Sequence, residues 1–268
     1  MMPTERHKGP SPHDAALPNA LGERLRGTVL CDAAVPAPSS ANRVGLADTG
    51  VERIGVLGGT FDPIHNGHLA AANEALRRLG LAKVLFAPAG NPWQKSNRRV
   101  SDVKLRCEMV RLAIESNPAF ELSFVDVEHA GNSYTVDMLR GLRGCLGKAV
   151  ELYFIAGVDA IRGIPSWHNA AGLAELATFV AVTRPGSYLD GPAIDALPVA
   201  VVCLEIPGVD VSSTQCRERL AAGLSLKGLV PQGVIDFILE HGLYRDGRAE
   251  PLARDSANTG QVTRQGEK

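Results

Sequence analysis

Between residues 52 and 245, short apolar runs alternate with longer segments in which apolar residues recur every three or four positions. The short runs are typical of buried strands, and the longer segments are typical of amphipathic helices. This alternation favours an α/β fold of right-handed β-α-β units, a Rossmann-like parallel sheet with helices on both faces. The predicted strands are Arg53–Leu57, Lys83–Ala87, Glu121–Asp126, Glu151–Ile155, Thr178–Thr183 and Ala200–Glu205, and the predicted helices are Leu69–Leu79, Val103–Ser116, Thr135–Leu142, Thr214–Gly223 and Gly233–His241.

The two ends of the chain lack this alternation. Residues 1–50 mix Pro, Ser, Ala, Asn and charged residues without a sustained period, and residues 246–268 are again polar. Segments that bury little apolar surface do not offset the entropy cost of ordering. We therefore expect a disordered or weakly ordered extension over 1–50, one folded domain over 51–245, and a flexible tail over 246–268.

The charge balance and hydropathy exclude several classes of protein. Lys and Arg total 28 against 29 Asp and Glu, a formal net charge of -1. Binding to nucleic acid through counterion release needs a basic face, which this balance does not favour. No apolar run approaches the roughly 18 residues of a membrane span, and the N-terminus lacks the apolar core of a signal peptide. We expect a cytoplasmic protein that acts on a small substrate, without nucleic acid or membrane as a partner.

The cysteines do not suggest a disulfide framework or a zinc ribbon. There are 5, an odd number, and they show no C-x-x-C spacing. Reduced thiols are the expected state in a cytosolic protein.

A glycine-rich turn joins the first predicted strand to the first predicted helix, in the string GGTFDPIHNGHL that begins at Gly58. Gly58 and Gly59 let the backbone turn sharply and come close to a ligand. Asp62 can cap a helix and Pro63 is tolerated in a first turn, so the pair signals the entry to a helix. Its free N–H groups and the positive end of its dipole favour an anion as the ligand.

Two histidines follow this turn. His65 and His68 are three residues apart, so on a helix they share one face and reach the same anion, and Gly67 keeps that face open. Ordinary polar helix positions and a metal site are the alternatives for two histidines at this spacing. The glycine turn and Thr60 favour phosphate over a metal.

Further polar or aromatic residues follow other predicted strands. Lys95 lies in a loop rich in Gly and Pro and can carry a charge to a phosphate. Gly157 permits close approach of a ligand, and Asp159 can accept a hydrogen bond from a ribose hydroxyl. Trp167 can stack on a flat heteroaromatic ring or belong to the core. Arg184 stands in a turn after a strand and can equally be solvated.

Two predicted helices begin with hydroxyl residues, which are natural N-caps. Thr135 opens the helix after the third predicted strand. Ser212, Ser213 and Thr214 precede Arg217 by about one turn, which makes a second anion cradle with a planar, bidentate clamp. Serine capping alone would explain part of this second pattern.

The string from Gly58 to His68 resembles the signature of the bacterial nicotinate-mononucleotide adenylyltransferases, within the HxGH nucleotidyltransferase superfamily. The resemblance extends from about Arg53 to Tyr244 and includes the Ser-Ser-Thr-x-x-Arg string. It departs from the family pattern at Gln94, Met138, Val158 and Cys216, where other residues are common. The resemblance implies catalytic roles for His65, His68 and Arg217, ATP binding by Gly58, Gly59, Thr60, Phe61, His65, His68, Gly157, Asp159, Ser212, Ser213, Thr214 and Arg217, and mononucleotide binding by Lys95, Tyr134, Thr135, Trp167 and Arg184.

The implied reaction joins ATP and nicotinate mononucleotide to give deamido-NAD and pyrophosphate, a step of NAD biosynthesis. Magnesium is expected to arrive with ATP, held by phosphates and water, without a dedicated metal cage in the protein. A homo-oligomer is compatible with the sequence but not specified by it. The alternatives are a related adenylyltransferase specific for pantetheine phosphate or nicotinamide mononucleotide, and a non-catalytic nucleotide-binding protein. A hydride-transferring enzyme is disfavoured because the G-x-G-x-x-G spacing and its acid are lacking.

Overall fold

The computed structural model describes residues 50–92, 100–129, 131–147, 149–183, 191–206 and 209–245. The predicted extension and tail, and the candidate residues Lys95 and Arg184, lie outside these ranges. None of the helices in these ranges is long and apolar enough to cross a membrane.

Six parallel strands form one sheet in the order β3-β2-β1-β4-β5-β6. All six coincide with predicted strands, and only β3 differs much from its prediction, since it ends at Leu122 rather than Asp126. After the Ser123 N–H bonds to the Phe86 carbonyl at 2.8 Å, the Phe124 carbonyl closes a turn that leaves the sheet edge. The strands are β1 Glu52–Gly59, β2 Lys83–Pro88, β3 Phe120–Leu122, β4 Val150–Gly157, β5 Thr178–Thr183 and β6 Val201–Glu205.

Five of the helices were predicted, and the pattern missed only short ones. The α-helices are α1 Asn66–Leu79, α2 Val103–Ile114, α3 Thr135–Leu146, α4 Val158–Arg162, α5 Gly191–Asp195, α6 Ser213–Ala221 and α7 Gln232–Glu240, and two 3₁₀ turns span Ile164–Ser166 and Ala170–Leu173. The unpredicted α4, α5 and 3₁₀ turns have three to five residues each, too few to show a helical period.

Apolar clusters cover both faces of the sheet, as the fold class predicts. Successive strand residues point to opposite faces, so Leu57 and Ile155 belong to one cluster, whereas Val56 and Phe154 belong to the other. Helices α1, α2, α6 and α7 pack on the first face, and α3 and α4 pack on the second. The chain builds outward from β1 to β3 and then from β4 to β6, so β1 and β4 meet at the topological switch point, where ligands bind in such sheets.

A buried hydrogen bond connects Tyr244, near the C-terminal end of the described residues, to the loop after β1. Tyr244 is 1% exposed, and its hydroxyl donates to the Asp62 carboxylate at 2.7 Å while accepting from the Ser101 hydroxyl at 3.3 Å. Burial raises the pKa of the Tyr244 hydroxyl well above its ordinary value, so it stays protonated and able to donate.

Tyr244→Phe is expected to lower the free energy of unfolding by about 1–3 kcal/mol, because the buried Asp62 carboxylate loses a donor. Tyr153→Phe is the matched control, since its hydroxyl donates at 3.1 Å to Glu151, whose side chain is 41% exposed and reaches water. Urea unfolding of both variants measures the difference. An equal loss in the two variants would contradict the account.

Candidate active site

Two cavities flank the carboxyl ends of β1 and β4, one on each face of the sheet. The first has a volume of about 200 Å³ and the second about 260 Å³. The alternation of strand residues separates them, because Gly58 and Phe154 line the first and Leu57 and Ile155 line the second. Ala156 lines both cavities, so they adjoin at this residue.

The first cavity brings together the predicted aromatic and hydroxyl residues. Tyr134, Thr135 and Trp167 all line it. Trp167 is only partly buried, and it meets Phe154 edge-on, with ring centroids 6.1 Å apart at 88°. Its indole is thereby fixed in the wall, where a planar ring can pack against it. Gly58, Gly59 and Thr60, predicted to bind ATP, also line this first cavity rather than the second.

His168 is a residue of this cavity that the sequence reasoning missed. Its ring stacks on Tyr134, with centroids 4.3 Å apart and an interplanar angle of 26°. A histidine directly after Trp167 was the signal in the sequence that could have identified it.

The loop after β2 is fastened to two neighbouring segments beside this cavity. The Gly90 N–H donates to the Asp126 carboxylate at 3.0 Å. Asn91 and Ser133 exchange hydrogen bonds, from the Asn91 N–H to the Ser133 hydroxyl and from the Ser133 N–H to the Asn91 carbonyl, each 2.9 Å long. A Cβ at Gly90 would lie 2.6 Å from the Asp126 carbonyl oxygen, so only glycine allows this approach.

Gly90→Ala is expected to destabilise the protein by about 1–3 kcal/mol, because the new methyl group pushes backbone against backbone. The displaced loop should also weaken ligand binding in the first cavity. Gly144→Ala is the control: nothing lies within 4 Å of a Cβ there, and it replaces a helical glycine, so it should stabilise by about 0.5–1 kcal/mol. Thermal unfolding compares the two, and a neutral Gly90→Ala would contradict the prediction.

The second cavity contains both histidines. His65, His68, Gly157 and Ser212 line it. Helix α1 begins at Asn66, three residues before the predicted start at Leu69, and its N-cap is His65, so the capping role expected for Asp62 is wrong. Asp62 is instead fully buried and accepts from Tyr244.

The hydrogen bond between the two histidines determines which ring nitrogen of His68 carries the proton. The backbone N–H of His65 donates to Nδ1 of His68 at 3.2 Å, so the neutral His68 ring carries its proton on Nε2. The two rings stack, with centroids 3.7 Å apart. Phe61 packs edge-on against His68, with ring centroids 5.0 Å apart. His68 can therefore donate from Nε2 to a phosphate oxygen. Phe61 was predicted to bind ATP, but the whole residue is 1% exposed and is not among the residues that line the two cavities.

The predicted second anion cradle lies at the start of α6, and only Ser212 of its members is among the residues that line the second cavity. The Ser212 hydroxyl caps α6 by accepting from the Gln215 N–H at 3.1 Å. Ser213 donates to the Pro63 carbonyl at 2.8 Å. Arg217 donates to the Asp62 carbonyl at 2.7 Å and to the Thr214 hydroxyl at 3.0 Å. These contacts dock α6 on the loop that carries the histidines.

Gly157 and Asp159 lie where β4 ends. Nothing in the described part of the protein lies within 4 Å of a Cβ at Gly157, so a ligand can approach the main chain. Asp159 is in the first turn of α4, its side chain is 91% exposed, and it pairs with Arg162 at 3.1 Å. A carboxylate in this position is accessible to a ligand that extends from the second cavity.

Arg106 is a second residue that the sequence reasoning missed. It lies on the buried face of α2, three residues before Met109 and four before Val110, and it is 1% exposed. A cation at a core position of an amphipathic pattern was the available signal. Burial lowers the pKa of its guanidinium, and the negative charge of Asp62 opposes that shift.

The donors in the second cavity suit an anion better than a metal. Within the ranges the structure covers, no three His, Cys, Asp or Glu side chains are grouped as a metal ion would require. Imidazole and hydroxyl groups at a helix start suit phosphate oxygens.

The comparisons with known proteins agree with this geometry. A family model described as cytidylyltransferase-like matches residues 56–219, which include β1 from Val56 onward, the other five strands and the residues that line both cavities. A nicotinic acid mononucleotide adenylyltransferase of Plasmodium falciparum, solved in complex with NaAD, is similar in fold: the TM-score is 0.63 at 20% identity, over 72% of this chain and 97% of that one. The fold and site thus define a nucleotidyltransferase of the cytidylyltransferase-like class.

Relatives of higher sequence identity indicate which family within this class the chain belongs to. The probable nicotinate-nucleotide adenylyltransferase of Saccharopolyspora erythraea is 50% identical over 194 residues, which cover 72% of this chain and 90% of that protein. The protein of the same name from Acidothermus cellulolyticus is 46% identical over 197 residues, 72% of this chain and 94% of that protein. The chain belongs to the nicotinate-nucleotide adenylyltransferase family.

Proposed function

We propose that this protein transfers the adenylyl group of ATP to nicotinate mononucleotide, which gives deamido-NAD and pyrophosphate in NAD biosynthesis. The proposal rests on the two cavities that adjoin at Ala156. One contains imidazole donors, and the other has aromatic walls. Two substrates bound in these cavities would bring their phosphates together at the switch point between β1 and β4.

ATP occupies the second cavity in this proposal. Its phosphates lie at the start of α1, where His65 and His68 line the cavity and the positive end of the helix dipole faces them. Val182 and Ile206 provide an apolar wall for the adenine, and Asp159 accepts from the ribose. Arg217, with Ser213 and Thr214 beside it, binds the β- and γ-phosphates after exchanging its present backbone contact for them.

Nicotinate mononucleotide occupies the first cavity. Its ring packs against Trp167, and Tyr134 and Thr135 present groups at the start of α3. The positive end of this helix dipole favours a carboxylate over a neutral carboxamide, which supports the acid as substrate. Lys95 and Arg184 are proposed to contact the mononucleotide phosphate on the basis of the family resemblance.

The chemical step is an in-line displacement at the α-phosphorus of ATP. A phosphate oxygen of the mononucleotide attacks, the bond from the α-phosphorus to the bridging oxygen breaks, and pyrophosphate leaves with the bond electrons. The attacking oxygen is already ionised and needs no general base. The protein positions the partners and neutralises developing charge, and Nε2–H of His68 is the donor best placed to do so.

Magnesium enters as the MgATP complex in this proposal. Phosphate oxygens and water coordinate it, since the cavity offers imidazole and hydroxyl groups rather than a carboxylate cage. The reaction takes place in the cytoplasm, without nucleic acid or membrane as a partner.

Pyrophosphate release tests the proposal. The protein is supplied with ATP and Mg²⁺ and, in parallel, with nicotinate mononucleotide, nicotinamide mononucleotide or pantetheine phosphate. Strong preference for the nicotinate substrate is expected. Release with pantetheine phosphate or the amide instead would assign a related transferase, and release with none of them would favour a non-catalytic nucleotide-binding protein.

A further inference from the structure

The buried guanidinium of Arg106 connects the loops that follow the first two strands. It donates to the Thr60 carbonyl at 2.8 Å, to the Gly90 carbonyl at 3.3 Å, and to the Ser101 carbonyl at 2.9 Å. These three carbonyls belong to the loop after β1, the loop after β2 and the segment just before α2. One planar, rigid fork of donors thus holds three main-chain segments in a fixed relation.

Both connected loops contribute to the candidate active site. Thr60 lines the first cavity, and Ala89 on the second loop does so too. Gly90 is held on both sides, because its N–H donates to Asp126 and its carbonyl accepts from Arg106. The position of this cavity wall therefore depends on Arg106.

The contact with Thr60 has an electronic consequence. The peptide bond between Thr60 and Phe61 is trans, so the Phe61 N–H points in the direction opposite to the Thr60 carbonyl. A cation that donates to the carbonyl polarises the whole peptide unit and makes the N–H at its other end a stronger donor.

We propose that Arg106 is a positioning residue for adenylyl transfer, which fixes the two loops that line the first cavity. This rests on the proposed function, and it adds a role for a residue that contacts no substrate. A structural explanation alone would predict loss of stability and no specific loss of turnover.

Arg106→Lys tests the inference, with Arg53→Lys as the matched control. Arg53 is also buried, at 7% exposed, but it pairs with Glu151 near the opposite end of β1. Lysine keeps the charge but cannot hold three carbonyls in one plane. We expect kcat of Arg106→Lys to fall by about 10- to 100-fold, with KM for ATP changed by less than about threefold. Arg53→Lys should keep kcat within about threefold of the unsubstituted protein.

A spectroscopic measurement separates positioning from global destabilisation. Selective ¹⁵N labelling of phenylalanine gives 7 resonances. The Phe61 amide nitrogen should move upfield in Arg106→Lys, because its peptide carbonyl loses a charged donor, and should not move in Arg53→Lys. This shift requires no turnover, so it tests the inference even if the proposed reaction fails.

Three results would overturn the inference about Arg106. An active unsubstituted enzyme with unchanged kcat in Arg106→Lys, or an unmoved Phe61 resonance, would overturn the inference and leave the proposed function intact. If neither Arg106→Lys nor Arg106→Gln unfolds cooperatively while Arg53→Lys does, Arg106 is needed only for folding. This result would also overturn the inference. Absence of pyrophosphate release by the unsubstituted protein would count against the function instead.

Discussion

Replacing His68 by alanine is expected to lower kcat by about 100- to 1,000-fold, the loss typical of removing one donor aimed at transition-state charge. The backbone N–H of His65 donates to Nδ1 of His68, so Nε2–H is the donor that the neutral ring retains, and His68 lines the second cavity. Charge develops on the phosphates as pyrophosphate leaves, and this donor acts mainly then. KM for either substrate should change by less than about threefold. Steady-state kinetics with each substrate varied in turn measures both parameters.

His241→Ala is the control for this variant. His241 is the C-cap of α7, its ring is tilted against that of Phe237, and it is not among the residues that line the two cavities. It should keep kcat. Unchanged kcat and KM in His68→Ala would contradict the proposed role of His68, and a loss confined to KM would make it a binding residue only.

Replacing Trp167 by alanine is expected to lower kcat/KM for nicotinate mononucleotide by about 10- to 100-fold, since stacking of a base on an aromatic side chain contributes about 1–3 kcal/mol. The edge contacts with Phe154 and Phe179 hold the indole in the wall of the first cavity. KM for ATP should stay within about threefold, because ATP occupies the other cavity in our proposal.

Trp167→Phe separates stacking from packing. Phenylalanine keeps an aromatic face for the ligand but fills less of the wall, so most of the kcat/KM should return. Thermal unfolding of both variants controls for the lost packing. Equal losses in the two variants, or a loss in KM for ATP rather than for the mononucleotide, would contradict the assignment of this cavity.

The alternation of buried strands and amphipathic helices was enough to predict the sheet, since parallel strands covered on both faces are short apolar runs. Glycine turns and helix starts are local features, so candidate site residues could be named from the sequence, and the roles given to them stay predictions. His65, His68 and Ser212 lie in one cavity, and Tyr134, Thr135 and Trp167 lie in the other.

Features that depend on distant contacts could not be predicted. Asp62 reads as a helix cap, but its partner is Tyr244, 182 residues later, and α1 begins after it. Arg106 reads as an exception on an apolar helix face, and its role follows only from carbonyls on two other loops and on the segment before α2. Partition of the site residues between two cavities also depends on which face of the sheet each strand residue takes.

Isotopic labelling of the phosphate oxygens of nicotinate mononucleotide tests whether this phosphate attacks the α-phosphorus of ATP. The enzyme is given ATP, Mg²⁺ and nicotinate mononucleotide whose terminal phosphate oxygens are ¹⁸O, and the products are identified by mass spectrometry. If the mononucleotide phosphate attacks the α-phosphorus, we expect deamido-NAD to retain all of the label and pyrophosphate to contain none. Label in pyrophosphate, or pyrophosphate without deamido-NAD, would contradict it.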